Sequence, residues 1–226
     1  MKDYTNRRNT HIMSELEELY FSEKQFKLFL DTVPKLPAFT SEFSKPPMSA
    51  YQFQVYYSVI YYTCIRPGAE ALRLTRGDFN LEYRILQCQN LKGGYHKTTI
   101  PPPLISILKE YFTDFEETQL LFHGHRATFW RYTKEIGKLA GIKYFDEFVK
   151  RSIVGLYLYV FKHAYIQRLE DMGCPGSLIS IKSRHKPDSM ARQTVDYAKS
   201  LRGLLIWEQK NITETMSFTK ERKNGN

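Results

Sequence analysis

Apolar residues recur at helical spacing through most of the chain, and this pattern predicts a mainly helical protein. Phe26 and Leu30 follow Ser22, a residue type that caps helix N-termini, so a helix is predicted to start there. Ser49 stands in the same position before Tyr51–Ile60, a run that is apolar on most sides. A helix of that kind is buried on every face, which places this run at the centre of the core.

One segment in the middle of the chain shows strand rather than helix character. Tyr83–Gln89 and Tyr95–Ile100 are strand-like, and Gly93 and Gly94 between them suit a tight turn. The remaining segments are predicted to be helical. They are residues 104–112, 127–140, 144–172 and 178–182, and a last helix that Ser189 could cap and that runs through Tyr197 toward Trp207. The predicted fold class is therefore mainly α with a small antiparallel β-sheet (α+β).

Polarity divides the chain into three predicted parts. Residues 1–17 are expected to be a flexible N-terminal segment, residues 18–209 one domain, and residues 210–226 a polar C-terminal tail. Within the last helix the apolar stretch 204–207 has two open interpretations. It packs on its own domain, or it docks on a neighbouring copy of the chain.

Composition favours a globular protein with a polyanionic partner. Hydrophobic residues make up 42% of the 226 residues, enough for a core, and the formal net charge is +9. Nucleic acid is the commonest partner of a basic domain, although the same charge could serve solubility alone. Both remain open at this point.

The cysteines and the N-terminus favour an intracellular protein. The three cysteines form no CxxC pair and are odd in number, so neither a disulfide framework nor a structural zinc site is expected. The N-terminus lacks the hydrophobic core of a signal peptide. The longest apolar stretch, Val55–Ile65, is too short to span a bilayer.

Arg66 and Glu70 are the first residues that could carry chemistry. Arg66 opens an Arg-Pro-Gly break directly after the predicted core helix, and Glu70 follows one helical turn later. An arginine at such a junction can direct its planar fork at a phosphate, with the glutamate orienting it. On these residues alone the alternative interpretation, a surface ion pair, is favoured.

Further candidates lie in the hairpin and toward the C-terminus. Lys92 sits on the lip of the predicted turn, with Lys97 across it as a fallback. A lysine in a hairpin is usually just solvated, and Tyr159 and Lys162 alone would be an ordinary pair on one helix. His185 and Tyr197 lie further on, in a chain that holds 16 tyrosines.

Taken in order, these residues resemble the catalytic set of the tyrosine recombinases, the phage-integrase family. The resemblance covers about residues 20–200. It assigns the first arginine box to Arg66, the hairpin lysine to Lys92, the two ends of the His-x-x-Arg box to Tyr159 and Lys162, the later histidine to His185, and the Thr-x-x-Tyr nucleophile motif to Thr194 and Tyr197.

The chain departs from the family pattern at several of these positions. Tyrosine and lysine replace the histidine and arginine of the second box, Arg184 replaces the usual glycine before His185, and the interval from His185 to Tyr197 is a few residues longer than usual. Tyrosine still donates a hydrogen bond, but lysine lacks the bidentate fork of arginine. Another basic residue, Arg151 or Arg184, could replace the missing arginine, whereas Arg168 is too far along the helix.

The resemblance implies a site-specific DNA recombinase or integrase that cuts and rejoins double-stranded DNA through a 3′-phosphotyrosyl intermediate. It implies no metal or cofactor, a dimer or tetramer on DNA, no membrane association, and a cytoplasmic, DNA-associated location. One alternative is a catalytically impaired relative that only binds DNA. Another is an unrelated basic helical protein that binds RNA or a protein partner.

Overall fold

The computed structural model describes residues 21–36, 48–89, 94–146, 151–154, 156, 158–183, 194–214 and 216–218. For residues 143–146, 151–154 and 194–200 it describes the backbone only. The predicted flexible segment 1–17, Lys92 and His185 lie outside the described residues.

Helices dominate this part of the chain, as predicted. They are α1 (Glu23–Thr32), α2 (Ala50–Thr63), α3 (Pro102–Tyr111), α4 (Arg126–Leu139), α5 (Val160–Asp171), α6 (Gly176–Ser183) and α7 (Thr194–Asn211). The strands are β1 (Phe79–Asn80), β2 (Ile85–Gln89), β3 (Tyr95–Thr99), β4 (Lys143–Asp146) and β5 (Arg151–Val154). Among the described helices, none has the length and apolar character needed to cross a bilayer.

The first two helices begin at the serines that the sequence marks. The Ser22 hydroxyl accepts from the Gln25 N–H at 3.2 Å, and the Gln25 side chain accepts from the Ser22 N–H at 2.9 Å. Ser49 and Gln52 repeat the arrangement at the start of α2 with the same distances. Each reciprocal pair satisfies a backbone donor that the helix itself leaves free, so the start of both helices is fixed locally.

Helix α2 forms the centre of the core, because every residue in it except Gln52 is buried. Its aromatic side chains pack against α1, α4 and α5: Phe29 meets Tyr57 edge-on, and Tyr56 lies 4.2 Å from Phe129 between ring centroids. The helix ends at Thr63, ahead of the predicted Arg-Pro-Gly break. Cys64 stops it by adopting a left-handed conformation, with φ of 55°.

The predicted hairpin is present as the longer part of a three-stranded antiparallel sheet in the order β1-β2-β3. Ile85 pairs with Thr99 and Gln89 pairs with Tyr95, so the two strands are in register along their whole length. The Thr98 hydroxyl donates to the Thr63 carbonyl at 3.2 Å and thereby ties β3 to the last residue of α2.

The prediction that residues 144–172 form a helical region, as one or two helices, was wrong in its first half. Strands β4 and β5 form a second antiparallel sheet there, with Lys143 opposite Val154 and Asp146 opposite Arg151. The helix begins only at Val160. Aromatic and β-branched residues are frequent in this stretch, and such residues favour strands over helices.

The C-terminal residues pack on their own domain. Leu204 in α7 and Ile212 after it have no exposed surface. Beyond α7 the Tyr62 hydroxyl donates to Met216 Sδ at 2.8 Å, and Phe218 meets Tyr51 edge-on. Within 204–207, Leu204 packs on its own domain whereas Ile206 is 57% exposed, so docking of this stretch on a neighbouring copy stays a prediction.

Candidate active site

The turn after α2 holds Arg66 at its base and leaves its end in solvent. The Glu70 carboxylate accepts from the Arg66 backbone N–H through Oε2 at 2.8 Å, and its Oε1 lies 3.4 Å from Arg66 Nη1. Glu70 is 1% exposed, whereas the Arg66 side chain is 45% exposed. The pair is therefore no ordinary surface ion pair. A buried carboxylate anchors the turn and orients an accessible guanidinium.

A close contact packs the start of α4 beside this turn. Gly68 has φ of +83°, a conformation that favours glycine, and a Cβ there would lie 2.8 Å from Arg126 Cγ. The aliphatic stem of Arg126 thus lies directly on the turn that carries Arg66. Any side chain at position 68 would separate α4 from that turn.

The exposed face of α4 continues away from this contact as a basic and aromatic stripe. Trp130 and Arg131 are exposed, and Lys134 Nζ lies 4.8 Å from the centre of the Trp130 ring. Lys138 follows near the end of the helix, where it pairs with Glu135 at 2.9 Å. We call Arg126, Trp130, Arg131, Lys134 and Lys138 the α4 stripe. Its charge and its proximity to Arg66 suit it to a phosphate backbone.

Strand β3, which carries Lys97, is fixed to the end of α2 that precedes Arg66 through the hydrogen bond between Thr98 and Thr63. Lys97, the fallback, is exposed on β3 opposite Gln87. Lys92, the preferred residue, belongs to the connection between β2 and β3, outside the described residues.

Tyr159 and Lys162 lie at the start of α5 and reach the same region. Tyr159 is half-buried and directly precedes the first helical residue, so it is the N-cap rather than a residue within the helix. Lys162 Nζ donates to the Ser183 carbonyl at 2.9 Å, and its own carbonyl lies 3.8 Å from Cys64 Sγ. The start of α5 thus touches both the end of α2, next to Arg66, and the last residue of α6.

The last two candidates are only partly described. His185 follows two residues after the end of α6 and lies outside the described residues. For Tyr197 the backbone is described, in the first turns of α7. At 1.5 Å per residue its Cα is about 16 Å along the helix axis from that of Glu208. The described contacts place the backbone of Lys162 beside Cys64, two residues before Arg66, with Tyr159 at the start of the same helix, and they add Tyr197 as a position on a helix.

A buried ion pair that the sequence analysis missed joins the helices of this region. Lys182, with no exposed surface, lies 2.9 Å from Glu208 Oε1 and donates to the carbonyl and hydroxyl oxygens of Thr99 at 3.0 and 2.7 Å. The Tyr165 hydroxyl donates to the same Glu208 oxygen at 3.0 Å. Burial, together with the Glu208 carboxylate, raises the pKa of Tyr165 well above its ordinary value, so this hydroxyl keeps its proton.

A sequence signal for this pair existed. Lys182 closes the run Ile179–Lys182, in which the other residues are small or apolar, and Glu208 directly follows the apolar stretch 204–207. A single charge within each of two apolar helical segments predicts either exposure at a helix edge or mutual neutralisation in the core. The structure shows the second.

Arg168 is engaged on another side of α5, which agrees with the expectation that it cannot replace the missing arginine. Its Nε lies 3.1 Å from Glu23 Oε2, and its Nη2 contacts Glu214 Oε1 closely. The side chain therefore links α1 and the segment after α7. It is 11% exposed and directed at carboxylates, so it has no role at the Arg66 turn.

Comparison with known proteins gives a structural likeness without a sequence match. No model of a known protein family matches the chain, and no curated protein matches its sequence. Solved structures do match. A XerA recombinase is 16% identical with a TM-score of 0.55, over 82% of this chain and 64% of that one. An integrase from mycobacterium phage Brujita is 10% identical with a TM-score of 0.54, over 84% and 58%.

A XerH site-specific recombinase, solved bound to a palindromic difH substrate after cleavage, is 19% identical with a TM-score of 0.54, over 84% of this chain and 53% of that one. Identities this low show the fold alone. The domain has the fold of a tyrosine recombinase catalytic domain, with mostly helices and a small three-stranded antiparallel sheet, as predicted. The chain spans about half to two thirds of the length of these structures.

Proposed function

We propose that this chain is the catalytic domain of a tyrosine recombinase that cuts and rejoins double-stranded DNA. The observation that carries the proposal is the Arg66 turn: a buried carboxylate fixes an exposed guanidinium, in a domain with this fold, beside a basic helix face. An accessible, oriented arginine fork suits a phosphodiester. We also propose that two or four copies assemble on DNA and that the protein is DNA-associated in the cytoplasm.

The proposed reaction exchanges one phosphate ester for another. The Tyr197 oxygen attacks a DNA phosphorus and forms a 3′-phosphotyrosyl ester, while the bond from phosphorus to the 5′-oxygen breaks. Lys92 donates a proton to the departing 5′-oxygen, and the tyrosine proton passes to His185. A 5′-hydroxyl attacks the ester to reverse the steps, so the bond energy is conserved and no nucleotide is consumed.

Two cations are proposed to stabilise the charge that develops on the non-bridging oxygens. Arg66 presents its guanidinium, and Lys162 presents an ammonium in place of the usual second arginine. Tyr159 holds the phosphate through a hydrogen bond from its hydroxyl. Lysine lacks the second parallel donor of arginine. The absence of this donor is expected to raise the barrier to cleavage by roughly 2–4 kcal/mol relative to a site with two arginines.

The test is the isolation of the covalent intermediate. A duplex with a nick just beyond the scissile phosphate releases its short 5′-hydroxyl fragment on cleavage, so the protein stays attached to the DNA. Because the target site is not defined, the nicked duplexes are a pool of random sequences. We expect a denaturant-resistant adduct whose proteolysis leaves the nucleotide on the peptide that contains Tyr197. An adduct mapped to another tyrosine would refute the assignment of the nucleophile.

A second candidate function, DNA binding without cleavage, is favoured by one observation. The Lys162 ammonium donates to the Ser183 carbonyl, so part of its donor capacity is directed at the protein itself. Salt-sensitive DNA binding with no adduct on the nicked duplex would support this function over the first.

Replacing Arg66 by alanine is expected to slow adduct formation by about 10²–10³-fold, the usual cost of losing one donor to the transition state. The fold should hold, because alanine keeps the backbone N–H that Glu70 binds. Single-turnover cleavage and thermal unfolding measure the two effects. Arg76→Ala is the matched control, since that guanidinium lies 4.9 Å from the Phe112 ring instead. An equal decrease in the cleavage rate of Arg66→Ala and Arg76→Ala would contradict a specific role for Arg66.

The α4 stripe gives a prediction for binding. Arg131→Ala should weaken DNA binding by a similar factor on all sequences and lower the slope of log K against log salt by about 1, as expected for one lost phosphate contact. Lys138→Ala should change the slope less, because Glu135 already neutralises that charge. Fluorescence titrations over a range of salt concentrations measure both. An unchanged slope for Arg131→Ala would place the DNA on another face.

A further inference from the structure

Lys182 is fully buried, and each proton of its ammonium has an acceptor. Glu208 Oε1 supplies one, and the carbonyl and hydroxyl oxygens of Thr99 supply the other two. An ammonium has three donors, so the group is satisfied. Tyr165 donates to the same carboxylate oxygen and lies under the ammonium, with its ring centre 5.3 Å from Nζ.

These four residues belong to four different elements, and each element carries or adjoins a residue of the proposed site. Thr99 ends β3, the strand that returns from the Lys92 turn, and Tyr165 lies on α5 with Lys162. Lys182 lies on α6, the helix that precedes His185, and Glu208 lies on α7 with Tyr197. The Lys182 network, defined as Thr99, Tyr165, Lys182 and Glu208, therefore joins the elements on which the chemistry depends.

Stability alone does not account for an ion pair at this place. Two apolar side chains would bury the same surface without desolvating two charges, and replacing buried pairs in that way is often neutral or stabilising. Hydrogen bonds differ from apolar contacts in being directional. Three acceptors around one ammonium fix the rotation and height of a helix, whereas apolar side chains permit it to slide.

We propose that Lys182 is a positioning residue for strand cleavage, an inference that rests on the proposed function. Through Glu208 it fixes α7 against β3 and α5, and so sets how the helix that carries Tyr197 meets the scissile phosphate. It touches neither DNA nor the reacting atoms. Its loss should change the rate of the chemical step and leave DNA affinity as it was.

The test compares two double variants. Lys182→Met/Glu208→Leu removes the buried pair and both charges, so neither is left unpaired in the core. Arg168→Met/Glu214→Leu removes an ion pair between α5 and the segment after α7, and with it the contact of Arg168 with Glu23 in α1. The control pair links α5 to the segment after α7 and does not touch β3, α6 or α7.

Single-turnover adduct formation at saturating nicked duplex gives the rate constant, and titration gives Kd. For Lys182→Met/Glu208→Leu we expect a rate constant lower by at least ~10-fold with Kd within about twofold, since a misplacement of 1 Å can cost more than that. The Arg168 control should cleave within about twofold of wild type. A Lys182 double variant that folds and cleaves at the wild-type rate would overturn the proposal.

A second measurement does not depend on cleavage. Amide hydrogen exchange in the DNA-free protein should be faster by at least ~10-fold along α7 in the Lys182 double variant, and unchanged in α1. Unchanged exchange in α7 would overturn the positioning role even if cleavage were slow. A wild-type protein that forms no adduct would instead overturn the proposed function, and the exchange result would then decide alone whether the network fixes α7.

Discussion

Tyr197→Phe is expected to abolish the covalent adduct while DNA affinity stays within about twofold. The change removes one oxygen atom, the proposed nucleophile, and leaves the size of the side chain nearly the same. Because phenylalanine has no oxygen that could take up the phosphoryl group, the loss should exceed ~10⁴-fold, at the limit of detection. Denaturing gel electrophoresis of the nicked duplex measures the adduct.

The matched control is Tyr159→Phe, which removes a hydroxyl from the start of α5. That hydroxyl is proposed to hold the phosphate and not to attack it, so cleavage should slow by about 10-fold, the order of one hydrogen bond to a charged group. An adduct that persists in Tyr197→Phe and disappears in Tyr159→Phe would exchange the roles of the two tyrosines.

Lys182→Met alone is expected to lower the free energy of unfolding by about 3–5 kcal/mol. Methionine has similar length but no charge, so the Glu208 carboxylate would stay in the core without its cation. Only the Tyr165 hydroxyl would still donate to it. Urea unfolding followed by circular dichroism measures the change.

The double variant Lys182→Met/Glu208→Leu provides the comparison for stability. With both charges gone, it should regain part of the loss, and the buried Tyr165 hydroxyl, which loses its acceptor, should keep it about 1–3 kcal/mol less stable than wild type. If the single and double variants were equally unstable, the cost would come from lost packing rather than from an unpaired buried charge.

The sequence predicted the parts of this fold that depend on local interactions. Both serine caps are visible because a capping box needs only residues three apart, and the hairpin is visible because two strand-like segments flank a Gly-Gly turn. The all-round burial of α2 follows from its composition. These features involve neighbours in the chain, so the pattern of residues contains the information.

Other features depend on tertiary contacts and could not be predicted in the same way. Cys64 adopts a left-handed conformation that non-glycine residues rarely adopt, and no local pattern marks it. The strands β4 and β5 lie in a stretch whose apolar residues also fit a helix. The burial of Glu70 is not marked by any local pattern, so the Arg66 pair resembled a surface ion pair in the sequence.

The candidate site also has a part that the sequence indicated and a part that only the structure shows. Arg66 follows α2, and Lys162 contacts both Cys64 at the end of α2 and Ser183 at the end of α6, while the catalytic roles of Arg66, Tyr159 and Lys162 stay predictions. The assignments of Lys92, His185 and Tyr197 remain predictions. The Lys182 network joins residues up to 109 positions apart in the chain and became visible only in three dimensions.

Helix α2 is enclosed by the core, so the segment that follows it is held in place by the packing of the helix. Arg66 follows the last helical residue, Thr63, by three positions, and its turn is fixed by the buried Glu70 carboxylate. A shift of the Arg66 backbone would have to break its hydrogen bond to this buried carboxylate, which opposes local opening of the turn. If Arg66 binds a phosphate as proposed, its backbone is therefore already held in place before the DNA arrives.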